Sequence, residues 1–529
     1  MLGIRGVRRP CSSIVYSKKY NLTSATMSGT SVTSQAQAFV DNFNESYAQK
    51  HEEFESQFWG TKMALKDGNY TTALLSRTKK EMEDLLSDPK LLAEAKSHKD
   101  KIQASGGDVK DDDSDLMKVL GIIIRTCQCN DFPTPEAKAT REKTNEIEGK
   151  LEQARNELIL GYSDADGIFQ ATSSVGLRSV MRTSSEEAVR KAAYESLRSI
   201  GDFVCERGFL EIVKLRNRLA KILGFQDYYD YTVTNAEGFD KNKLFEILDG
   251  LEKGTRPLLV KAREDLEKMH GKKALDPWNT SYMMAGSVIK KMDPYFPFSK
   301  SVENYIRSYA AMKISYCGAT MTLDLLDRKN KYSNGFCHWP VPAWVKPDGT
   351  WVPSKTNFTS LADPSAVGSG LTALNTLMHE AGHAAHFANI KQPSPLFSQE
   401  RAPTSVAYAE NQSMFLDSLV GDAAWRAKYA RDLNASPIPF EVHEEEIRST
   451  HPFQVFQLRA MLSVSYFEKA LYELPEDELT PGKVQALADE IEIQIQGGLS
   501  ARPLLSVPHL VSDEASCYYQ GYTVSVADS

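Results

Sequence analysis

The sequence predicts a mainly α-helical fold with one small β ribbon. Apolar residues recur at helical spacing from about residue 36 onwards, in segments rich in Glu, Lys and Arg. In one region, at about 335–361, apolar residues alternate with other residues, as they do in β-strands. With 529 residues, of which 41% are hydrophobic, the chain is long enough to bury several apolar cores.

Helical periodicity is clearest in segments around Leu151, Leu197 and Val213, where apolar residues recur every three or four positions. The stretch 104–115 is rich in Gly and Asp and predicts a solvated loop instead of a metal site. Beyond the N-terminal segment, we expect a helical region over 36–200 and a catalytic region over 201–529.

The strand-like region runs from about Gly335 to Leu361. Pro340, Pro342 and Pro353 argue against a central strand, because proline cannot donate a hydrogen bond to a neighbouring strand. We therefore expect an edge strand or an irregular ribbon. Such an edge can bind an extended peptide by strand addition. The alternative is a hairpin that only supports the helix next to it.

Composition excludes several classes of protein. The net charge of −8 provides no basic surface for nucleic acid. No segment approaches the roughly 20 apolar residues of a membrane span, so no membrane partner is expected. The seven cysteines are scattered and predict reduced, structural thiols. We expect a soluble monomer.

Residues 1–35 differ from the remainder of the chain. They are basic and rich in Ser and Thr, and no Asp or Glu precedes Asp41. This composition is typical of an organelle transit peptide and lacks the apolar core of a secretory signal. An ordinary disordered terminus is the alternative, and Met27 could start a shorter form. The predicted location is the mitochondrial matrix or the cytoplasm, and the protein is not expected to be secreted.

Residues 371–390 read LTALNTLMHEAGHAAHFANI and predict a buried helix. His379 and His383 lie about one helical turn apart, so both imidazoles project from one face and can bind one cation. Glu380 follows the first histidine, where its carboxylate can reach a water on the metal and act as general base. Two histidines alone could be a satisfied pair in a core, but the glutamate between them favours zinc.

A catalytic zinc needs a third protein ligand and an open position. Segment 403–420 predicts a second helix with Glu410 near its middle, where a carboxylate without a partner would be costly to bury. Asp417, on the same face, is expected to accept a hydrogen bond from a ligand histidine, unless it is a surface carboxylate. Glu400 competes as third ligand, but it lies in a polar loop beside Arg401, which favours Glu410.

A further set of candidates lies near the C-terminus, where residues 509–522 read HLVSDEASCYYQGY. A histidine and clustered tyrosines can donate hydrogen bonds to the oxyanion of a tetrahedral intermediate. Aromatic packing is the alternative for each tyrosine, and it weighs most for Tyr518.

The segment HEAGHAAH, followed by a helix with Glu410 and Asp417, resembles the thimet oligopeptidase and oligopeptidase A family of HExxH zinc metallopeptidases, which includes mitochondrial intermediate peptidase. The resemblance covers most of the chain from about residue 140. It implies a two-lobed helical fold with a deep central channel, zinc at the channel floor and the β ribbon next to the zinc helix. It also implies short peptides as substrates, since such a channel excludes folded proteins.

The resemblance assigns roles near the C-terminus as well. Tyr519 and Tyr522 reproduce the family's spacing of tyrosines that contact substrate, with His509 beside them. His509 lies one residue farther upstream than in the family, and Ala515 stands where the family has a third tyrosine. The chain ends soon after Tyr522, where family members continue, so we expect a shortened C-terminus.

The predicted function is that of a zinc-dependent metalloendopeptidase of the oligopeptidase type, with one zinc ion per chain and short peptides as substrates. A related HExxH carboxypeptidase or dipeptidyl carboxypeptidase is one alternative. A catalytically weak, zinc-binding scaffold that binds peptides is another.

Overall fold

The computed structural model describes residues 31–105, 114–332, 335–397, 404–512 and 515–528. The expectations for residues 1–30, including Met27, and for Glu400 and Arg401 lie outside this part of the chain, as does most of the predicted loop at 104–115.

The expected mainly α fold is confirmed, and the segments around Leu151, Leu197 and Val213 are helical. Among the described residues, no helix is both long and apolar enough to cross a membrane. The boundary predicted at residues 200/201 falls inside a helix. In chain order, the helices are α1 Val32–Lys62, α2 Thr72–Leu86, α3 Pro89–Ala104, α4 Asp115–Cys129, α5 Pro135–Glu157, α6 Ser174–Thr183, α7 Glu187–Val204, α8 Leu210–Ile222, α9 Tyr228–Glu237, α10 Lys241–His270, α11 Thr280–Met292, α12 Ser301–Ala311, α13 Ser369–Asn389, α14 Val406–Ser418, α15 Ala423–Tyr429, α16 Phe440–Thr450, α17 Val455–Glu473, α18 Pro481–Gln496 and α19 Gln520–Asp528.

Many of these helices begin after a polar residue that caps the first turn. Ser31, Thr71 and Thr134 each accept a hydrogen bond from a backbone N–H two or three residues into the helix that follows. Such caps satisfy backbone donors that have no partner within the helix. Pro135 also stands at the first position of α5, where its missing N–H costs nothing.

The strands are few and short. They are β1 Gly161–Ser163, β2 Phe169–Ala171, β3 Thr320–Leu326, β4 Phe336–Val341, β5 Trp344–Val345, β6 Trp351–Val352 and β7 Lys355–Ala362. In the three-stranded sheet, β7 lies between β3, its parallel neighbour, and β4, its antiparallel neighbour. Pro340 lies in β4 at the edge of this sheet, and Pro342 and Pro353 lie outside strands, as the sequence indicated. β3 and the β1–β2 pair were not predicted.

Apolar residues bury themselves in several cores. The first joins α7, α8 and α10 to α17, α18 and the C-terminal segment, with Leu197, Phe209 and Phe467 fully buried in it. The second joins α12, β7, α13 and helices α14 to α16, and includes Phe358 and Met378. A third core holds α1, α3 and α4 together.

The candidate site lies where the first two cores meet. Helix α13 packs on α14 and on β7, which confirms the expected ribbon beside the histidine helix. Helix α19, from the C-terminal segment of the first core, packs on α14. The candidate site therefore combines His379 and His383, on a helix of the second core, with tyrosines of the C-terminal segment, which belongs to the first core.

Candidate active site

Helices α13 and α14 approach each other closely at Gly382. A Cβ at this position would lie 2.9 Å from the Cα of Ser413, which is closer than side chains tolerate. Glycine therefore permits the backbones to come together, and this approach places Glu410 of α14 opposite His379 and His383 of α13. Apolar neighbours on α13, among them Met378, fix the helix in the second core.

Three of the predicted ligand atoms converge on one point. The Oε2 atom of Glu410 lies 3.3 Å from Nε2 of His379 and 3.4 Å from Nε2 of His383. Glu410 and His383 are almost completely buried, and His379 is slightly more exposed. The structure thus brings together residues up to 31 positions apart, which the sequence had placed on two separate predicted helices.

This donor set fits zinc. Ligand atoms around a tetrahedral zinc ion, with bonds of about 2.0–2.1 Å, lie about 3.3 Å from one another. The separations between Glu410 and the two histidines match that edge length. Glu380 also has a carboxylate oxygen within 4.8 Å of both histidines, but the tighter spacing of Glu410 makes it the better third ligand.

The outer nitrogen of His379 is held by Asp417. Its Nδ1 lies 2.8 Å from Oδ2 of Asp417, so the ring donates to the carboxylate and its Nε2 faces Glu410. Burial alone would lower the pKa of His379, but the hydrogen bonds to Asp417 and Glu410 raise it well above its ordinary value. The structure therefore places the carboxylate of Asp417 against the candidate ligand His379.

Charge at the site is balanced between histidines and carboxylates. Burial favours the neutral form of Glu410, yet the two histidines hold the pKa of that carboxyl well below its ordinary value. Glu380 behaves differently, since burial raises its pKa to about 6 despite the nearby histidines. Glu380 and Glu410 thus differ in proton affinity, because only Glu410 lies directly between the rings of His379 and His383.

The C-terminal tyrosines Tyr518 and Tyr519 have different hydrogen-bond partners. Tyr518, interpreted from sequence mainly as a packing residue, donates a hydrogen bond of 2.9 Å to Oε1 of Glu410. Tyr519 accepts a hydrogen bond of 2.9 Å from Nη1 of Arg502 and lies almost fully buried. The contact with the candidate metal site therefore belongs to Tyr518 and not to its neighbour.

His509 and Tyr522 lie in the same aromatic group. The ring of His509 is 4.9 Å from that of Tyr519, 6.1 Å from that of Tyr522 and 6.2 Å from that of Tyr518. Burial and the neighbouring Arg502 lower the pKa of His509 to about 3, so its imidazole is neutral near pH 7. A neutral ring can donate one hydrogen bond, but it cannot serve as a cation.

Comparisons with known proteins identify the family of this chain. The sequence profile of peptidase family M3 matches residues 180–522, which is more than half of the chain. The chain belongs to peptidase family M3. The profile of the angiotensin-converting enzyme family, M2, matches residues 30–278. Membership of family M3 makes the chain a metallopeptidase. No curated protein sequence matches the chain.

Solved structures show the same fold for this M3 peptidase. PZ peptidase A with inhibitor 2 superposes with a TM-score of 0.54 at 15% identity, covering 92% of this chain and 86% of its own. BsuCP has a TM-score of 0.58 at 15% identity, with coverage of 93% and 84%. Metallocarboxypeptidase 1 of Trypanosoma cruzi has a TM-score of 0.54 at 14% identity, with coverage of 92% and 85%.

Proposed function

We propose that this M3 peptidase uses zinc to hydrolyse short oligopeptides. The observation that carries the proposal is the convergence of His379, His383 and Glu410 at the spacing of a tetrahedral zinc site. Family M3 is in general zinc-dependent, which supports the choice of metal. Three protein ligands leave one position for water and substrate, as a catalytic site requires.

Zinc bound there supplies a Lewis acid that activates water and polarises the peptide carbonyl. Glu380 is the proposed general base. Its carboxylate is buried next to the histidines and makes no hydrogen bond to another described residue, so it is available to take a proton from the attacking water. A pKa of about 6 leaves it ionised near neutral pH and able to pass that proton to the leaving amine.

The C-terminal aromatic group is proposed to bind the substrate carbonyl. Tyr518 orients Glu410, while His509 and Tyr522 remain the candidate donors to the developing oxyanion. Tyr519 packs against His509 in this group and accepts a hydrogen bond from Arg502, which holds that guanidinium in place. Donors fixed by packing need not reorganise during the reaction, which is the physical basis of oxyanion stabilisation.

The test is digestion of a quenched-peptide library by the purified protein, with and without a chelator. We expect cleavage to stop on chelation and to return with zinc. Glu380→Gln is expected to retain zinc, measured as metal per chain, and to lose about 10²–10⁴-fold in kcat. The exposed Glu264→Gln serves as matched control and should keep full activity. Cleavage that persists with chelator present would refute the zinc mechanism.

A further inference from the structure

A cluster of arginines lines a cavity beside the histidine helix. Arg178, Arg182 and Arg502 face a cavity of about 1020 Å³, and Thr372 and Thr376 of α13 line the same cavity. Arg155 lies near this group, close enough for its positive charge to lower the pKa of Arg178. We call Arg155, Arg178, Arg182 and Arg502 the arginine cluster.

The guanidinium groups of the arginine cluster have only neutral partners among the described residues. Arg502 donates to the hydroxyl of Tyr519, Arg182 donates to that of Thr372 over 2.9 Å, and Arg155 donates to a backbone carbonyl. Nε of Arg182 and Nη1 of Arg155 are buried without an acceptor. Arg178 makes no hydrogen bond or ion pair within the described ranges.

Two fully buried arginines elsewhere in the chain pair with carboxylates, whereas the buried Arg190 bonds to Asn279 and to backbone carbonyls. Arg216 lies 2.8 Å from Glu148, and Arg459 lies 2.6 Å from Glu252. Such pairing is the usual way to offset the cost of burying a charge. The arginines of the cluster are partly exposed and have no carboxylate partner among the described residues, and three of them face the cavity, where an anionic ligand would supply the counter-charge.

The carboxylates that line the cavity do not supply that counter-charge. Asp327 accepts a hydrogen bond from Ser173, and Asp363 accepts one from Ser365. Neither makes an ion pair with the arginine cluster within the described part of the chain. Burial and the charge of Arg502 lower the pKa of Arg178 to about 9, which leaves its guanidinium charged at neutral pH.

The cavity reaches the candidate active site along α13. Thr372, Thr376 and Glu380 succeed one another every four residues, so they lie on one helix face, and Thr372 is about 12 Å from Glu380. Gly335, which also lines the cavity, bridges the two ends, since a Cβ there would lie 2.7 Å from Thr376 and 3.5 Å from a carboxylate oxygen of Glu380. An extended peptide spans that distance in about three or four residues.

We propose that the arginine cluster binds a carboxylate of the peptide substrate, about three residues from the peptide bond that is cleaved. The inference rests on the proposed peptidase function. The planar fork of a guanidinium matches a carboxylate in two parallel hydrogen bonds, which makes arginine the residue best suited to this recognition. The carboxylate is supplied either by the C-terminus of the peptide or by an acidic side chain.

Three peptides of one sequence separate these sources: a free acid, its C-terminal amide, and the amide with Glu replacing a neutral residue near the C-terminus. Binding is measured by anisotropy on zinc-loaded Glu380→Gln, and kcat/KM and the cut position are measured with unaltered enzyme. We expect the free acid to bind about 10- to 100-fold more tightly than the amide, with a matching ratio in kcat/KM. The cut is expected about three residues from the carboxylate.

Arg178→Gln is expected to abolish the difference between free acid and amide, while the exposed Arg77→Gln on α2 keeps it. Tighter binding of the free acid than of the plain amide assigns the cluster to the C-terminus, and tighter binding of the Glu-containing amide than of the plain amide assigns it to acidic side chains. Equal binding and cleavage of all three peptides by unaltered enzyme would overturn this inference while leaving the proposed function intact. If no peptide is bound or cleaved, the proposed function fails and the inference with it.

Discussion

Asp417 fixes the ring of His379 at the proposed zinc site. Because Nδ1 of His379 donates to this carboxylate over 2.8 Å, one ring proton stays on the outer nitrogen, and Nε2, which faces Glu410, is the nitrogen that would bind a metal after releasing its own proton. A carboxylate behind a ligand histidine also makes the ring a stronger base. At the proposed zinc site, Asp417 would therefore act on metal affinity without being a ligand itself.

Asp417→Ala is expected to weaken zinc binding by about 10- to 100-fold, because His379 loses the group that fixes its tautomer and orientation. The measurement is competition for zinc against a fluorescent chelator at fixed pH. The exposed Asp100→Ala on α3 controls for the loss of one negative charge. Unchanged affinity in Asp417→Ala would show that the aspartate contributes packing alone.

Tyr518 and Tyr519 provide a matched pair at the other side of the site. Tyr518→Phe removes the hydrogen bond to Glu410, and hydrogen bonds to charged groups contribute about 1.5–3 kcal/mol. We expect zinc affinity to fall by about tenfold or more in Tyr518→Phe and to stay unchanged in Tyr519→Phe, measured in the same competition assay. Equal effects of the two substitutions would contradict the assignment of this contact to Tyr518.

At single residues, the sequence was informative where ligands lie within one helix. One turn separates His379 from His383, and a buried acid in a second helix pointed to Glu410. The contact of Tyr518 with Glu410 was not predicted, since Tyr518 precedes α19 in a turn where Cys517 adopts a φ of 55°. Outside a helix no periodicity relates adjacent side chains to a common face.

At the scale of elements, the contact between α13 and α14 sets the distance between the histidines and Glu410. Gly382 lies at the closest approach, where a Cβ would be 2.9 Å from Ser413 and 3.3 Å from Leu416. A side chain there forces the helices apart, and overpacking of this kind costs about 1–3 kcal/mol.

Gly382→Ala is therefore expected to lower the free energy of unfolding by about 1–3 kcal/mol and to weaken zinc binding together with it. Urea denaturation and the zinc competition assay measure the two effects. Gly149→Ala in α5 is the matched control, since a Cβ there meets no atom within 4 Å. It should stabilise the protein by about 0.5–1 kcal/mol, because alanine favours helix over glycine. Stabilisation by Gly382→Ala would refute the close contact.

Strands were harder to predict than helices. The prolines correctly indicated that β4 lies at a sheet edge, because a missing N–H is tolerated there. Strand β3 went undetected, since its partner β7 is more than 30 residues away and parallel pairing leaves no local turn signal. Helices carry their hydrogen bonds within one segment, whereas a strand depends on a distant partner.

On the scale of the whole molecule, the candidate site depends on distant segments that meet between two cores. Tyr518 contacts Glu410 across 108 positions of sequence. Such pairings follow from the packing of α19 on α14, and no sequence pattern indicates that packing. The arginine cluster was missed for the same reason, since Arg155, Arg178 and Arg502 gather only when α5, α6 and the C-terminal segment come together.

Glu468 of α17 connects the C-terminal segment to the first core. Its carboxyl is 1% exposed, and Oε1 accepts a hydrogen bond of 2.8 Å from the backbone N–H of Cys517, just before Tyr518. Its Oε2 is buried without a partner among the described residues. Burial raises the pKa of Glu468 from an ordinary 4.5 to about 7.

The raised pKa makes stability depend on pH in a defined direction. Between pH 4.5 and about 7, the folded state keeps a proton that the unfolded state has released, so stability falls as pH rises through this window. The contribution is complete below pH 4.5 and lost above about 7. Glu468→Gln is neutral throughout, and we expect it to exceed the unaltered protein in stability by about 1–3 kcal/mol at pH 8 and to match it near pH 4.5.

Urea denaturation of both proteins at pH 5 and pH 8 measures this difference, with the exposed Glu490→Gln on α18 as control. The control should alter stability equally at both pH values. Glu468 anchors the segment that carries Tyr518. At pH 8 the C-terminal segment of Glu468→Gln should therefore resist proteolysis better than that of the unaltered protein. A stability difference between Glu468→Gln and unaltered protein that is the same at both pH values would show that this carboxyl does not couple folding to protonation.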